Sequence, residues 1–169
     1  MAFIRWNTPL GIVRVVTESG RICMLKFEQR REDYPDRPDK LCFIAKEQLN
    51  EYFAGQRREF TLPLRPQGTP FQCSVWEAVQ SVPYGQTRTY REIGLQIGRP
   101  TASRAVGAAV GKNPIWLLIP CHRIIGSDGS LTGYAGGLQR KESLLELERS
   151  GLLTENTQTT FIAAPSAVH

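Results

Sequence analysis

The residues best suited to chemistry lie together in Ile119-Pro120-Cys121-His122-Arg123. A cysteine attacks as its thiolate, and a free thiol with a pKa of about 8.5 is mostly protonated at neutral pH. A neighbouring imidazole can take that proton, directly or through water, and Arg123 adds positive charge beside it. Pro120 fixes the backbone just ahead of the nucleophile. A Cys-His pair alone more often describes a buried cysteine next to a surface histidine, because such dipeptides occur freely. A base also needs a third group to orient it, and Glu148 is a candidate. It falls at i+4 and i+3 from Leu144 and Leu145, so it shares their face of a helix. A carboxylate on that face needs a partner, whereas a glutamate at a helix end can simply lie in water. Spacing leaves both open.

A second pattern runs from Thr101 to Gly111. Ala102, Ala105, Gly107, Ala108, Ala109 and Gly111 crowd one segment with small side chains, and Arg104 is its single long cation. Glycine inside a helix costs about 1 kcal/mol relative to alanine. Close approach to another backbone is one physical reason to accept that cost. Another helix of the same chain and a narrow DNA groove both supply it.

The elements that must position these residues fall into two groups. Phe3–Trp6, Ile12–Val16 and Ile22–Phe27 read as short strands, separated by turn residues around Pro9-Leu10-Gly11 and Ser19-Gly20. A loop over Gln29–Lys40 leads to a helix over Leu41–Phe53, closed by Gly55. Phe60–Leu64 reads as one more strand. A boundary is placed at the linker that follows, giving a β-rich domain over residues 1–66 and a second domain over 67–151.

In that second domain Thr69 caps a helix with Pro70 at its first position. Thr89-Tyr90-Arg91-Glu92 is a capping box that starts another helix through Ile97. After the turn Gly98-Arg99-Pro100, Thr101–Gly111 is a third, so the outline is helix-turn-helix. Trp116–Ile119 reads as a short strand, Ser127-Asp128-Gly129 as a turn, and Leu138–Arg149 as a last helix stopped by Gly151. Residues 152–169 read as a flexible tail. The fold class is α+β.

Composition narrows the classes. Apolar residues make up 41% and charged residues 22%, as in ordinary globular domains. No apolar run approaches the ~20 residues of a membrane span, and no signal peptide is evident, so a cytoplasmic location is expected. The four cysteines are widely spaced, which argues against a disulfide scaffold. The two histidines, His122 and His169, form no metal-like spacing, so neither metal nor cofactor is expected. Of the net charge of +5, residues 84–141 hold the largest share, with 8 basic and 2 acidic groups. Such a segment suits a polyanion, although a solvated basic surface has the same composition.

Taken together, these residues resemble the O6-alkylguanine-DNA alkyltransferase family, the bacterial constitutive type most of all. The landmarks are Gly68-Thr69-Pro70-Phe71-Gln72, Val82-Pro83-Tyr84-Gly85, Thr89-Tyr90, Ser103-Arg104-Ala105-Val106-Gly107, Gly111-Lys112-Asn113-Pro114, the Cys-His-Arg segment, Gly133-Tyr134-Ala135-Gly136-Gly137 and Lys141-Glu142. They span roughly half the chain, from about Thr69 to Gly151, and the first 66 residues match in outline only.

The resemblance implies an RNase H-like β-domain followed by a winged-helix-like domain. It implies stoichiometric, irreversible transfer of an alkyl group from O6-alkylguanine, and less surely O4-alkylthymine, in double-stranded DNA to Cys121. The DNA would be bound through the minor groove, with the damaged nucleotide rotated out, and cooperative self-association along DNA is compatible with it. Cys121 matches the alkyl acceptor, His122 the base acting through water, Glu148 the carboxylate that orients it, and Asn113 the brace of the active-site turn. Together these would keep the sulfur charged. Tyr90 matches the donor to the guanine ring nitrogen, and Arg104 the finger that fills the vacated stack. Thr89, Ala105, Gly107 and Arg123 are expected at the DNA, and Tyr134, Ala135 and Ile124 around the flipped base. Ala135 stands where some relatives have serine, and Ser143 where many have a bulky residue. The competing readings are a lesion binder on the same scaffold without chemistry, a cysteine hydrolase, and a winged-helix transcription factor.

Overall fold

The computed structural model describes residues 1–153. Its first half is a three-stranded antiparallel sheet in the order β1-β2-β3, formed by Ala2–Thr8, Gly11–Glu18 and Arg21–Glu28. Each strand is longer than its apolar run because the turns are tight. Thr8 Oγ1 donates to the Gly11 carbonyl at 2.6 Å and accepts from the Leu10 amide at 3.2 Å. At the second turn Ser19 and Gly20 both have positive φ, the pairing that suits right-twisted hairpins.

Helix α1, Lys40–Phe53, packs across β1 and β2. Asp39 caps it through the Cys42 amide and accepts from Thr17 on β2, which ties the helix start to the sheet. Phe60–Leu64 does not form the expected strand: Leu64 makes a single bridge to Ile22. Pro63 lacks the amide hydrogen needed to continue a ladder.

The second half builds α2 (Pro70–Gln80), α3 (Tyr90–Gln96), α4 (Ser103–Gly111) and α5 (Leu138–Ser150). The expected capping box of Thr89 with Glu92 is present, and the expected cap Thr69 forms a second box with Gln72. Helix α4 starts two residues later than expected, because Thr101 and Ala102 belong to the turn and supply no side-chain cap. The turn between α3 and α4 folds tightly back on α3: a Cβ on Gly94 would stand 2.8 Å from the Arg99 carbonyl, so glycine is required there. Gly151, in the left-handed region, ends α5. Two elements have no sequence precedent, the two-residue parallel strands β4 (Arg88–Thr89) and β5 (Ile124–Ile125).

Trp116–Ile119 is also not a strand. The chain reverses there, with Leu117 at φ 71° and Ile119 donating to the Ile115 carbonyl at 3.0 Å. The reversal is anchored on β3, where the Leu25 amide donates to Pro114 O at 3.0 Å and Leu25 O accepts from the Trp116 amide at 2.9 Å. One continuous apolar core runs through both halves, from Leu10, Val13 and Leu25 through Tyr52 and Trp76 to Ile119, Leu144 and Leu147. The boundary expected near residue 66 therefore does not divide the core. Of the expected tail, residues 154–169 lie outside those described.

Candidate active site

The turn from Asn113 to Arg123 is assembled around one side chain. Asn113 Nδ2 donates to the Ile119 carbonyl at 2.9 Å and to Cys121 Sγ at 3.1 Å, while its Oδ1 accepts from the Ile115 amide at 2.9 Å. Its carbonyl accepts from the Trp116 indole at 3.0 Å. Pro120, at φ −79° and ψ 63°, makes an inverse γ-turn that brings the Cys121 amide to Ile119 O at 2.7 Å. Cys121 to Arg123 then form one turn of 3-10 helix, and Cys121 is only 3% exposed.

His122 and Glu148 meet. His122 Nε2 donates to Glu148 Oε2 at 2.6 Å, deep in the core. An ionised carboxylate only accepts, so Nε2 carries the ring proton and Nδ1 keeps its lone pair. Nδ1 is buried without a partner among the described residues, and so is the Tyr134 hydroxyl. Native interiors rarely leave such atoms unsatisfied, and both belong to residues at the thiol. Burial lowers the His122 pKa, with Glu148 only partly opposing it, so the ring is neutral at rest. Burial pushes the Glu148 acid up, but His122 and the Arg123 guanidinium outweigh it and hold the carboxyl well below its usual range.

The sulfur departs from expectation. Burial raises Cys121 to about 11, against smaller lowering by the Asn113 amide and the Lys141 charge. The resting group is a thiol, not a standing thiolate. At pH 7 that gap corresponds to roughly 5 kcal/mol to ionise it alone. Proton removal therefore has to be coupled to the attack, with Nδ1 of His122 as the available acceptor.

Arg123 is also corrected. It is expected at the DNA, but its guanidinium is buried, donating to Glu148 at 2.8 and 3.0 Å and to the Val82 carbonyl at 2.7 Å. With three of its five N–H donors fixed in this way and the side chain buried, it holds the carboxylate rather than reaching out to a phosphate.

Lys141 is a buried charged residue at this site to which the sequence reading gave no role. Its ammonium is fully buried and donates to the carbonyls of Ile124 and Thr132. Burial brings its pKa down to about 8, partly offset by Cys121. Tyr90 donates to the same Thr132 carbonyl at 3.0 Å, so Tyr90, Lys141 and the Thr132 peptide form one cluster beside the thiol. The signal existed: Lys141 stands three and four residues before Leu144 and Leu145, on the same face as Glu148.

The remaining expected residues lie around this centre. Tyr134 is buried against Trp116, ring centroids 6.3 Å apart. A Cβ on Gly136 would press to 2.6 Å from the Tyr134 ring, so that glycine is a condition of the wall. Ala135 is exposed, and the Ile124 carbonyl already accepts from Lys141. Thr89 caps α3 with its hydroxyl and is half-buried. On α4, Val106, Ala109 and Val110 face the core, while Arg104, Ala105, Ala108 and Gly111 are exposed and Gly107 is half-buried. Half of the small-residue stripe, Ala105, Ala108 and Gly111, thus faces outward. A Cβ on Gly111 would meet nothing within 4 Å, so no protein contact explains its size.

Comparison with known proteins follows the same division. The 6-O-methylguanine DNA methyltransferase ribonuclease-like domain matches residues 2–66, and the DNA binding domain of the same family matches residues 70–150. The methylated-DNA–protein-cysteine methyltransferase of Methanosarcina barkeri is 58% identical over 86% of this chain and 96% of its own length. The inducible methylated-DNA–protein-cysteine methyltransferase of Bacillus subtilis is 43% identical, covering 88% of each chain. The crystal structure of Mycobacterium tuberculosis OGT in complex with DNA superposes with a TM-score of 0.84 at 43% identity, covering 92% of this chain and 98% of that one. The chain therefore belongs to the 6-O-methylguanine DNA methyltransferase family.

Proposed function

We propose that this protein repairs alkylated DNA by moving the alkyl group of O6-alkylguanine onto Cys121, once per molecule. Family membership carries the class of reaction, methyl transfer from damaged DNA to a protein cysteine. The observation that carries the assignment to these residues is the set Cys121, His122 and Glu148, with a neutral imidazole whose unpartnered Nδ1 serves as base.

The steps follow from the groups present. The exposed strip of α4 lies in the minor groove of the duplex, where small side chains permit close approach. Arg104 fills the gap as the damaged nucleotide rotates out, at a cost of a few kcal/mol. The thiol proton passes to His122 Nδ1, through water where the distance requires it. The resulting imidazolium is held by Glu148. Sulfur attacks the alkyl carbon, the carbon–O6 bond breaks, and its electron pair leaves on the guanine. Tyr90 donates to the guanine ring nitrogen and offsets that charge. For this Tyr90 must release Thr132, whose carbonyl keeps Lys141. Asn113 donates to sulfur throughout, steadying the developing thiolate. The product is a thioether, for which the site has no leaving chemistry. The reading implies a reducing compartment such as the cytoplasm.

Incubation with O6-benzylguanine, then digestion and mass spectrometry, tests it. One benzyl group on the Cys121 peptide is expected, and Cys121→Ala is expected to take none while still binding duplex. Labelling of the alanine protein would remove Cys121 from the role. Duplex binding with no adduct on the natural chain would favour a non-catalytic lesion binder.

A further inference from the structure

We propose that Tyr52, on α1 of the β-rich half, is a positioning residue for alkyl transfer, its hydroxyl setting how Glu148 serves His122. The inference rests on the roles given above to Cys121, His122 and Glu148. It gives the N-terminal half a defined part in the chemistry carried by the other half.

The Tyr52 hydroxyl is fully buried and donates to Glu148 Oε2 at 2.6 Å, across 96 residues of sequence. That is the same oxygen, at the same distance, that takes the His122 ring proton. Oε2 also accepts from Arg123 at 3.0 Å, while Oε1 holds Arg123 Nε at 2.8 Å and the Gly85 amide at 3.2 Å. The carboxylate is therefore held from three directions: α1, the active-site turn and the turn after α2. The phenol itself cannot shift, because Phe53, Phe60 and Tyr84 surround it at ring separations of 5.6, 5.4 and 6.2 Å.

Two consequences follow from sharing one oxygen. The phenol draws density from Oε2, so the carboxylate holds a His122 imidazolium less tightly than it otherwise would. It also fixes the carboxylate plane, and with it the direction in which Nδ1 points. The charged and titratable groups around His122 are Glu148 and Lys141 from α5, and Cys121 and Arg123 from its own turn. Tyr52 from α1 and Tyr84 from the turn after α2 act on Glu148. Arg123 and Lys141 both oppose protonation of His122, and Glu148 favours it. Removing the phenol hydrogen bond strengthens only the favouring side.

Tyr52→Phe keeps the ring and deletes the hydroxyl. Transfer from O6-benzylguanine base, from pH 5 to 9, is read beside ¹⁵N NMR titration of the His122 ring. His169 is the other histidine of the chain. The expected rate falls about tenfold, the scale of one hydrogen bond to a charged group. The His122 titration, and with it the acid limb of the rate profile, moves up by about half a pH unit. Duplex affinity stays within about twofold, since the contact is remote from the phosphates. A natural-rate variant with an unmoved titration overturns the proposal. So does a rate loss with an unmoved His122 titration, which would make Tyr52 a packing residue only. A different failure, no His122-dependent limb in the natural protein, would sink the reading beneath it.

Discussion

At the scale of single residues, the site trades a reactive resting thiol for a protected one. With Cys121 at about 11, its modification by iodoacetamide without DNA should be slow at pH 7 and rise about tenfold per pH unit until ionisation is complete. A fast, pH-independent reaction at neutral pH would contradict the burial argument. Glu148 carries a stability consequence as well. Its folded pKa is depressed from an ordinary 4.5, so its stabilisation is present above that value and lost as pH falls. Glu148→Ala leaves Arg123 buried without its counter-charge, and breaking such a pair costs about 3–5 kcal/mol. Urea unfolding at pH 7 should show that loss, and the gap to the natural protein should shrink on acidification. The Cys-His pair and Glu148 were visible in the sequence through the family landmarks around them, since spacing alone left a bland reading open for each. Lys141 was hidden because a lysine in a helix normally reads as solvated. Tyr52 was hidden because a tyrosine on an apolar face reads as core, and its ring is core; only the hydroxyl acts.

At the scale of elements, α4 separates binding from chemistry. Arg104→Ala should leave transfer from free O6-benzylguanine unchanged and slow transfer from duplex DNA at least tenfold, as expected if it fills the vacated stack. Ala108→Glu places bulk and negative charge on the exposed strip, and should weaken duplex binding about tenfold or more in a filter or anisotropy assay. Equal loss on free base and duplex in either variant would move these residues into the pocket. Capping boxes and stop glycines made α2, α3 and α5 legible to within a residue or two, because their signals are local. The turn at Trp116–Ile119 was not, since an apolar run of that length satisfies a strand equally well. What anchors the reversal is hydrogen bonding to Leu25, a residue some ninety positions away in the three-stranded sheet.

At the scale of the whole molecule, the two family domains behave as one body. The core is continuous, and among the described residues polar links cross between the halves, including Leu25 with Pro114 and Trp116, Tyr52 with Glu148, and Arg140 with the Leu10 carbonyl at 2.8 Å. Urea unfolding should follow a single transition by both fluorescence and circular dichroism. Two separated transitions would show that the halves fold independently. The boundary near residue 66 is placed at a linker, and contact across it depends on faces that neither half displays in sequence. One link has a practical side. Trp116 donates its indole hydrogen to the Asn113 peptide and rests against both Tyr134 and Phe27. Trp6 and Trp76 are instead bonded to Asn50 and to the Ala109 carbonyl. The chain therefore contains its own optical gauge: arrival of a base against Tyr134, and later the permanent bulk of a thioether, should change the emission of one indole, allowing lesion capture to be followed in real time without any added dye.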